Sequence, residues 1–409
     1  MSKVLIVTSN YWPEPTGIAV YTFDLARTLV RKGHDVTVMT GLPHYPWWNV
    51  PAQFSHLKEG HESQDGIKVG RANHYVPAKV NTKNRIRFEL SLWRNFGRVT
   101  KKFSKKEFDL VISFIPSLAA GIIGHRISRN INAIFGLVVQ DLTGIGVSQS
   151  GLRGAQLIST IATRIEKSIL FAAAKIVVIS PEMQEIVIGQ GIEESKIDLI
   201  RNYSARIILP LQKTVSRIKF GWSEKCFLVI HSGNIGNKQD LGNVVKAAEH
   251  LRHFERIRFL IVGHGNQEHK IKELCKDSPN VSLIPAVSNE DYPRLLASAD
   301  LLLVNERSTQ TKMSLPSKLS SYLYSNRPIL AAVPRYGATW NFLDGIAELV
   351  ESDNPKRLAH SVLELSKNPK KRIDLAKKGL VFAKSNLNPE KGRAEYLDWV
   401  ESLVQSKRA

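Results

Sequence analysis

No stretch of this 409-residue chain holds the ~20 consecutive apolar residues needed to span a bilayer. The longest candidates, such as Leu118 to Gly124, are interrupted too soon. Cysteine is nearly absent. Cys226 and Cys275 lie far apart and have no metal-ligand spacing, which excludes a disulfide framework and a zinc cluster. Both are expected to be small buried hydrophobes in a reducing compartment. Acidic residues are scarce, 37 against 57 lysines and arginines, for a formal charge of +20. Such an imbalance calls for an anionic partner: nucleic acid, phosphorylated small molecules or an acidic membrane surface. No G-x-G-x-x-G with a following acidic residue appears after the first strand, which argues against a nicotinamide dehydrogenase. A recognition helix and an RNA-binding aromatic motif are also lacking, so nucleic acid is not the expected partner. Met1-Ser2-Lys3 leads straight into the short run Val4–Val7, so no secretory signal is expected.

What is present is a globular composition, long enough for two domains of roughly 200 residues each. Val4–Thr8 reads as a buried strand and Asn10–Gly17 as a Pro/Gly-rich loop. Ile18–Lys32 has helical spacing, Gly33 caps it, and Asp35–Thr40 alternates as a second strand. Strand, helix and strand at this spacing predict a parallel sheet with right-handed crossovers. Leu110–Phe114, Ala133–Val139 and Lys175–Ser180 continue the series. A second series runs through Phe227–His231, Arg258–Val262, Val281–Ile284, Asp300–Val304 and Ile329–Ala332. A polar, basic connection spans Ser204–Glu224. The fold class is therefore α/β, with two doubly wound domains and a ligand cleft expected between them. Chemistry is expected in the loops beyond the strands' carboxyl ends.

Five such loops draw attention. Gly17 precedes a helix, where a missing side chain lets a phosphate or sugar reach the amides, or simply serves a turn. Ser232-Gly233-Asn234-Ile235-Gly236-Asn237-Lys238-Gln239 follows a strand and opens a helix. Its glycines make room for an anion, and Lys238 adds a mobile cation suited to a diphosphate. Gly263-His264-Gly265 is a second glycine loop, with His264 either functional or solvated. Ser314-Leu315-Pro316-Ser317-Lys318 opens another helix, with Pro316 in its first turn and Ser314 or Ser317 as cap. Lys318 opposes the helix dipole unless an anion is near, or else is a plain surface lysine. Gln140-Asp141 ends a strand of the first domain, and Asp141 either orients an acceptor hydroxyl and assists proton removal or caps a helix. Separately, Lys79–Lys106 is basic and amphipathic, with Ile86, Leu90, Trp93, Phe96 and Phe103 at helical spacing. It reads as a membrane-interface helix through Trp93, Arg94, Arg98, Lys101 and Lys102, or as a core helix with a solvated basic face.

As an ordered set, these motifs resemble the family-4 glycosyltransferases. The resemblance rests on the opening strand and Gly17, on Leu25-Ala26-Arg27-Thr28-Leu29 and on Gly33-His34-Asp35-Val36-Thr37-Val38. Ser232–Gln239, Val262–Gly265, Ala299-Asp300, Leu315–Leu319 and Arg327-Pro328-Ile329 extend it, loosely to the chain end. Pro43-His44-Tyr45-Pro46 and Val139-Gln140-Asp141 resemble the exopolysaccharide branch of the colanic-acid type.

The resemblance implies a GT-B fold, two Rossmann-like domains facing a central cleft, and retaining transfer of a hexose from a GDP- or UDP-sugar without metal or cofactor. Its implied domains are 1–205, which holds the acceptor with a returning helix 388–405, and 206–387, which holds the donor. The donor would meet Gly17, Gly233, Asn234, Gly236, Lys238, Gly263, His264, Gly265, Pro316, Ser317 and Lys318. Acceptor candidates are Tyr11, Glu14, His44, Tyr45, Gln140 and Asp141, and catalytic candidates are Lys238 and Asp141. The acceptor expected is a lipid-linked or other oligosaccharide, at the cytoplasmic face of an anionic membrane. Two glutamates that many members carry read Met313 and Ser321 here, and an arginine often paired with the diphosphate lysine reads Asn234. Another GT-B enzyme, such as a sugar-nucleotide epimerase, is the first alternative, and a basic nucleic-acid-binding protein the second.

Overall fold

The computed structural model describes the chain except residues 16, 55, 58–59, 79–80, 101–106, 143–154, 204–209, 310–314 and 407–409, and describes only the backbone of 61, 99–100, 155–158 and 406. The chain forms two compact units, 1–205 with 390–409, and 206–389.

The first unit is built on an eight-stranded sheet. Its strands are β1 (Lys3–Val7), β2 (Asp35–Gly41), β3 (Gly60–Gln64), β4 (Ile67–Ala72), β5 (Leu110–Ile115), β6 (Ile134–Val139), β7 (Lys175–Val178) and β8 (Ile197–Leu199), in the order β3-β4-β2-β1-β5-β6-β7-β8. All described pairings are parallel except β3–β4, an antiparallel edge hairpin that the sequence pattern did not reveal. Strand β1 is apolar on both sides because helices cover both faces. Leu5 and Val7 pack with Phe88, Leu92 and Phe96 of helix Thr82–Thr100. Val4 and Ile6 share the opposite core with Leu25 and Leu29 of helix Ile18–Arg31. The C-terminal helix Pro389–Ser406 joins that second core through Tyr396, Trp399, Val400 and Leu403. A side chain at Gly136 on β6 would crowd Leu403 and Trp399 at 2.9 Å, so the helix lies close against the strand. Arg393 fixes its position with a two-pronged contact to Asp24, both arms at 2.9 Å. Tyr203 donates to the same carboxylate at 2.8 Å.

The second unit has six parallel strands: β9 (Phe227–Ser232), β10 (Ile257–Val262), β11 (Val281–Ile284), β12 (Leu301–Asn305), β13 (Ile329–Val333) and β14 (Glu348–Glu351). Their order is β11-β10-β9-β12-β13-β14. The segment expected as a polar connection contains helix Lys213–Phe220 instead. Its Arg217 is fully buried, donating to the Asp300 carboxylate at 2.6 Å and to the carbonyls of Ser298 and Cys226 at 2.9 Å each. Burial opposes the Asp300 charge, but Lys213, the Leu228 amide and Arg217 outweigh it and hold its pKa below the usual value. The Ala299-Asp300 motif therefore clamps this helix onto the sheet. Both cysteines are free and half-buried, less enclosed than their small apolar character implied.

Candidate active site

In the second unit the chain runs from β9 to β10 on one side, then returns to lay β12 on the other. That reversal opens a crevice at the carboxyl ends of β9 and β12, the place where doubly wound sheets bind ligands. His231 and Ser232 end β9, Asn305 ends β12 and Glu306 follows it. Lys318 is the first residue of helix Lys318–Tyr324, one position after the N-cap Ser317, whose side chain makes no capping bond. Pro316 thus lies before the helix rather than in its first turn, and Ser314 falls outside the described residues.

The Lys318 ammonium stands 3.2 and 3.3 Å from the two ring nitrogens of His231 and 5.7 Å from the centroid of the Tyr322 ring. Burial, and then the Lys318 charge, push the His231 pKa well below its ordinary value, so the ring stays neutral. Burial lowers Lys318 to about 7, with Glu306 pulling the other way. Burial raises Glu306 to about 7, opposed by a Thr339 hydrogen bond and by Lys318 and Lys238. A desolvated cation at a helix's positive end, backed by a neutral imidazole, is in an environment that favours an incoming anion. Around it, Tyr322 receives the Ser232 amide at 2.8 Å, and Tyr292 meets the Ser232 hydroxyl at 3.3 Å.

The two glycine loops form the neighbouring wall. Gly233 has φ 130°, and a side chain there would meet the Lys318 Cδ at 3.8 Å. A Cβ at Gly263 would collide with the Gly233 carbonyl, and one at Gly265 with the Ile235 carbonyl. The loops are laced together by Gly233 N–H to Val262 O and Ile235 N–H to His264 O, each at 2.9 Å. Gly263 and Gly265 therefore serve the approach of one backbone to the other, while Gly233 and Asn234 are exposed. Gly236 donates to the Gln239 side chain at 3.2 Å. Lys238 lies exposed on the short turn Asn237–Gln239, which Asn305 pins by donating to the Gln239 and Asp240 carbonyls at 2.7 and 3.0 Å. His264 points outward, 3.3 Å from Glu268 on the following helix. The sequence reading missed His231, Asn305 and Glu306. The polar pair Asn305-Glu306 after an apolar strand is the same signal that marked Gln140-Asp141.

The first unit gathers its candidates in the loops after β1, β2 and β6. Gly17 caps helix Ile18–Arg31 at φ 68°, with the Tyr45 ring 3.2 Å from where a Cβ would stand. Glu14 is 4% exposed and accepts the amides of His44 and Tyr45 at 2.8 and 2.9 Å and the Asn10 side chain at 2.8 Å. Burial raises its pKa to about 7 against those donors, and burial lowers His44 to about 3, with neighbouring His74 adding to the effect. Tyr11 is 1% exposed and packs edge-on against Phe23 at 5.7 Å. Glu14, His44 and Tyr11 thus face inward, and Tyr45 is partly open. Gln140 and Asn202 exchange side-chain hydrogen bonds of 3.1 and 2.8 Å, and Asp141 accepts the Leu142 amide at 2.9 Å.

Helix Thr82–Thr100 divides its apolar residues between two faces. Phe88, Leu92 and Phe96 are core, whereas Ile86, Leu90 and Trp93 are exposed with Lys83, Arg87, Arg94 and Arg98 around them. Phe96 therefore leaves the stripe in which the spacing had placed it. Lys101, Lys102 and Phe103 fall outside the described residues. Among the described residues, no helix is long and apolar enough to cross a membrane, and no group of three His, Cys, Asp or Glu is placed to hold a metal.

Residues 16–203 match the family described as a glycosyl transferase 4-like domain, and 212–382 match glycosyl transferases group 1. A protein of Escherichia coli (strain K12) that carries the name of a colanic acid biosynthesis glycosyl transferase, WcaI, is 28% identical over 386 residues, covering 90% of this chain and 93% of its own. Among solved structures, sucrose-phosphate synthase from Thermosynechococcus elongatus superposes with a TM-score of 0.78 at 14% identity, over 99% of this chain and 100% of that one. Anabaena HepE in complex with UDP-glucose gives 0.70 at 14% identity, over 98% and 100%.

Proposed function

The chain belongs to the family-4 glycosyltransferases of the GT-B fold, and from that premise we propose that it transfers a hexose from a nucleoside diphosphate sugar to a lipid-linked or other oligosaccharide acceptor during cell-surface polysaccharide synthesis. The observation that carries the donor half is Lys318, a desolvated cation at the switch point beside an open glycine loop. A diphosphate there would restore the charge that burial disfavours at Lys318. Exposed Lys238 on the adjoining turn would take the outer oxygens.

Transfer proceeds with retention and without a metal. As the sugar–phosphate bond lengthens, negative charge grows on the departing diphosphate, and Lys238, Lys318 and the loop amides meet it. Oriented groups of this kind lower a barrier by about 3 kcal/mol each. The departing phosphate accepts the proton of the attacking hydroxyl on the same face of the sugar, so no dedicated base is required. Asp141 orients that hydroxyl, with Gln140 beside it in the chain and Tyr45 on another loop of the first unit. Glu14 and His44 hold those loops from within. UDP is the first nucleotide to try, because the Anabaena structure holds UDP-glucose.

The acceptor is presented at an anionic membrane surface on the cytoplasmic side. Ile86, Leu90 and Trp93 would enter the interface while Lys83, Arg87, Arg94 and Arg98 meet headgroups. The test is transfer of radiolabelled sugar from UDP- and GDP-sugars into the lipid fraction of membranes, with Lys238→Ala beside wild type. The expected result is transfer by wild type and severe loss in the variant at unchanged melting temperature. Transfer at near-normal rate by Lys238→Ala would remove that lysine from the mechanism, and donor consumption without any acceptor would point to epimerisation.

A further inference from the structure

One acidic side chain stands inside the cationic crevice and has no part in the mechanism above. Glu306 follows β12 directly, and its amide donates to the Ala332 carbonyl at 2.9 Å, which fixes it to the end of β13. The Thr339 hydroxyl donates to its carboxylate, and the charges of Lys318 and Lys238 both act on it. The groups facing it come from four elements: Lys238 from the turn after β9, Lys318 from helix Lys318–Tyr324, Thr339 from helix Ala338–Leu343, and His231 behind Lys318.

A carboxylate in this position is a liability for a bare diphosphate. It repels the anion that the two lysines attract, and in a poorly solvated crevice the repulsion is stronger than in water. A carboxylate also offers about four acceptor positions, and Thr339 occupies one. The ligand that turns the liability into an advantage is one that brings a hydroxyl donor along with its diphosphate.

The geometry points to Glu306 as the residue that binds a hydroxyl of the donor sugar, so that the crevice prefers a nucleotide sugar over the bare nucleoside diphosphate. This rests on the donor reading above. It adds a specificity-determining contact to that reading, and gives Thr339 the task of aiming the carboxylate. The competing role is purely local: Glu306 balances the charge of Lys318 and touches nothing in the ligand.

The two roles separate in a paired titration of the full-length protein with UDP, UDP-glucose and UDP-galactose, and with GDP and GDP-mannose, alongside thermal melting. For the conjugate that wild type binds, Glu306→Gln is expected to weaken the nucleotide sugar about tenfold or more. The same variant should leave the bare diphosphate unchanged or a few-fold tighter. Thr339→Val should move the ratio in the same direction by a smaller factor, which guards against a folding defect in the first variant. Equal changes for sugar-bearing and bare ligands assign Glu306 to charge balance and overturn the inference, as does no change for either. A wild type that binds the bare diphosphates and none of their conjugates also overturns it, alone. A wild type that binds neither UDP nor GDP overturns both the inference and the donor reading beneath it.

Discussion

Each unit places a glutamate at the carboxyl end of its sheet, Glu14 buried and Glu306 partly buried, and the two are treated differently. Glu14 receives two backbone amides and the Asn10 side chain, and it closes the loop after β1 onto the loop after β2. Glu306 has Thr339 as its hydrogen-bond donor and faces two lysines, one of them desolvated. Burial raises both carboxyls to about 7. The first is satisfied within the protein, and the second sits in a crevice whose charges favour a ligand. Internal satisfaction marks a residue that shapes a site, and residual electrostatic demand marks one that meets the substrate.

The comparison is broken most severely at Lys318. Lys318→Met removes the cation but keeps the bulk, so nucleoside diphosphate binding should fall about 100-fold, the worth of a charge-assisted contact in a desolvated site. The melting temperature should hold or rise, since a poorly solvated charge has been replaced by an apolar chain. Calorimetric titration with melting curves reads both, and a large fall in stability with intact binding would make Lys318 structural. Next in size is the exposed face of helix Thr82–Thr100, which shares the first unit with Glu14. Arg94→Ala with Arg98→Ala should weaken binding to anionic vesicles by about 30-fold, at roughly 1 kcal/mol per basic residue. Co-sedimentation at unchanged level would discard the membrane contact.

The pH response sharpens the comparison further. Lys318, held at about 7, loses its proton as pH rises through neutrality, whereas an ordinary lysine keeps it to about 10. Affinity for a nucleotide sugar, whose diphosphate does not titrate in this range, should therefore fall by up to about tenfold per pH unit above 7. Lys318→Arg should remove the part of that profile that Lys318 carries, because arginine stays charged, and leave the shallower part that comes from Glu306, which burial raises to about 7. A flat wild-type profile between pH 6.5 and 8.5 would contradict the assignment of the charge. The smallest effect on donor binding belongs to Glu14. Glu14→Gln keeps one oxygen for the His44 and Tyr45 amides but turns an NH2 toward the Asn10 side-chain donor, costing about 1–3 kcal/mol of stability while donor affinity stays within about twofold. A donor-binding loss as large as that of Lys318→Met would erase the distinction between the two units.

Most strands of both sheets were legible because they are short apolar runs between helix-period segments, and those signals are local. The missed strands each lacked that signal. Gly60–Gln64 is polar edge sequence, Ile67–Ala72 is broken up by Lys68, Gly70 and Arg71, Ile197–Leu199 is three residues long, and Glu348–Glu351 carries a glutamate at each end. The glycine loop at 233–236 and Lys318 were visible from residue type and position before a helix. His231 and Glu306 were not, because a histidine inside an apolar strand and a glutamate after one look ordinary until the sheet order brings β9 and β12 together. Gly263 shows what the fold adds. Its type suggested room for a nucleotide, and the place where a side chain would stand is taken by the Gly233 backbone, a pairing 30 residues away that only the fold supplies.

The most direct test of the account is a crystal structure of the protein with whichever of UDP or GDP it binds. The account predicts the diphosphate at the carboxyl ends of β9 and β12, with an oxygen in hydrogen-bonding reach of the Lys318 ammonium and the amides after Gly233 engaged. A nucleotide bound elsewhere, with Lys318 still resting against His231, would contradict it.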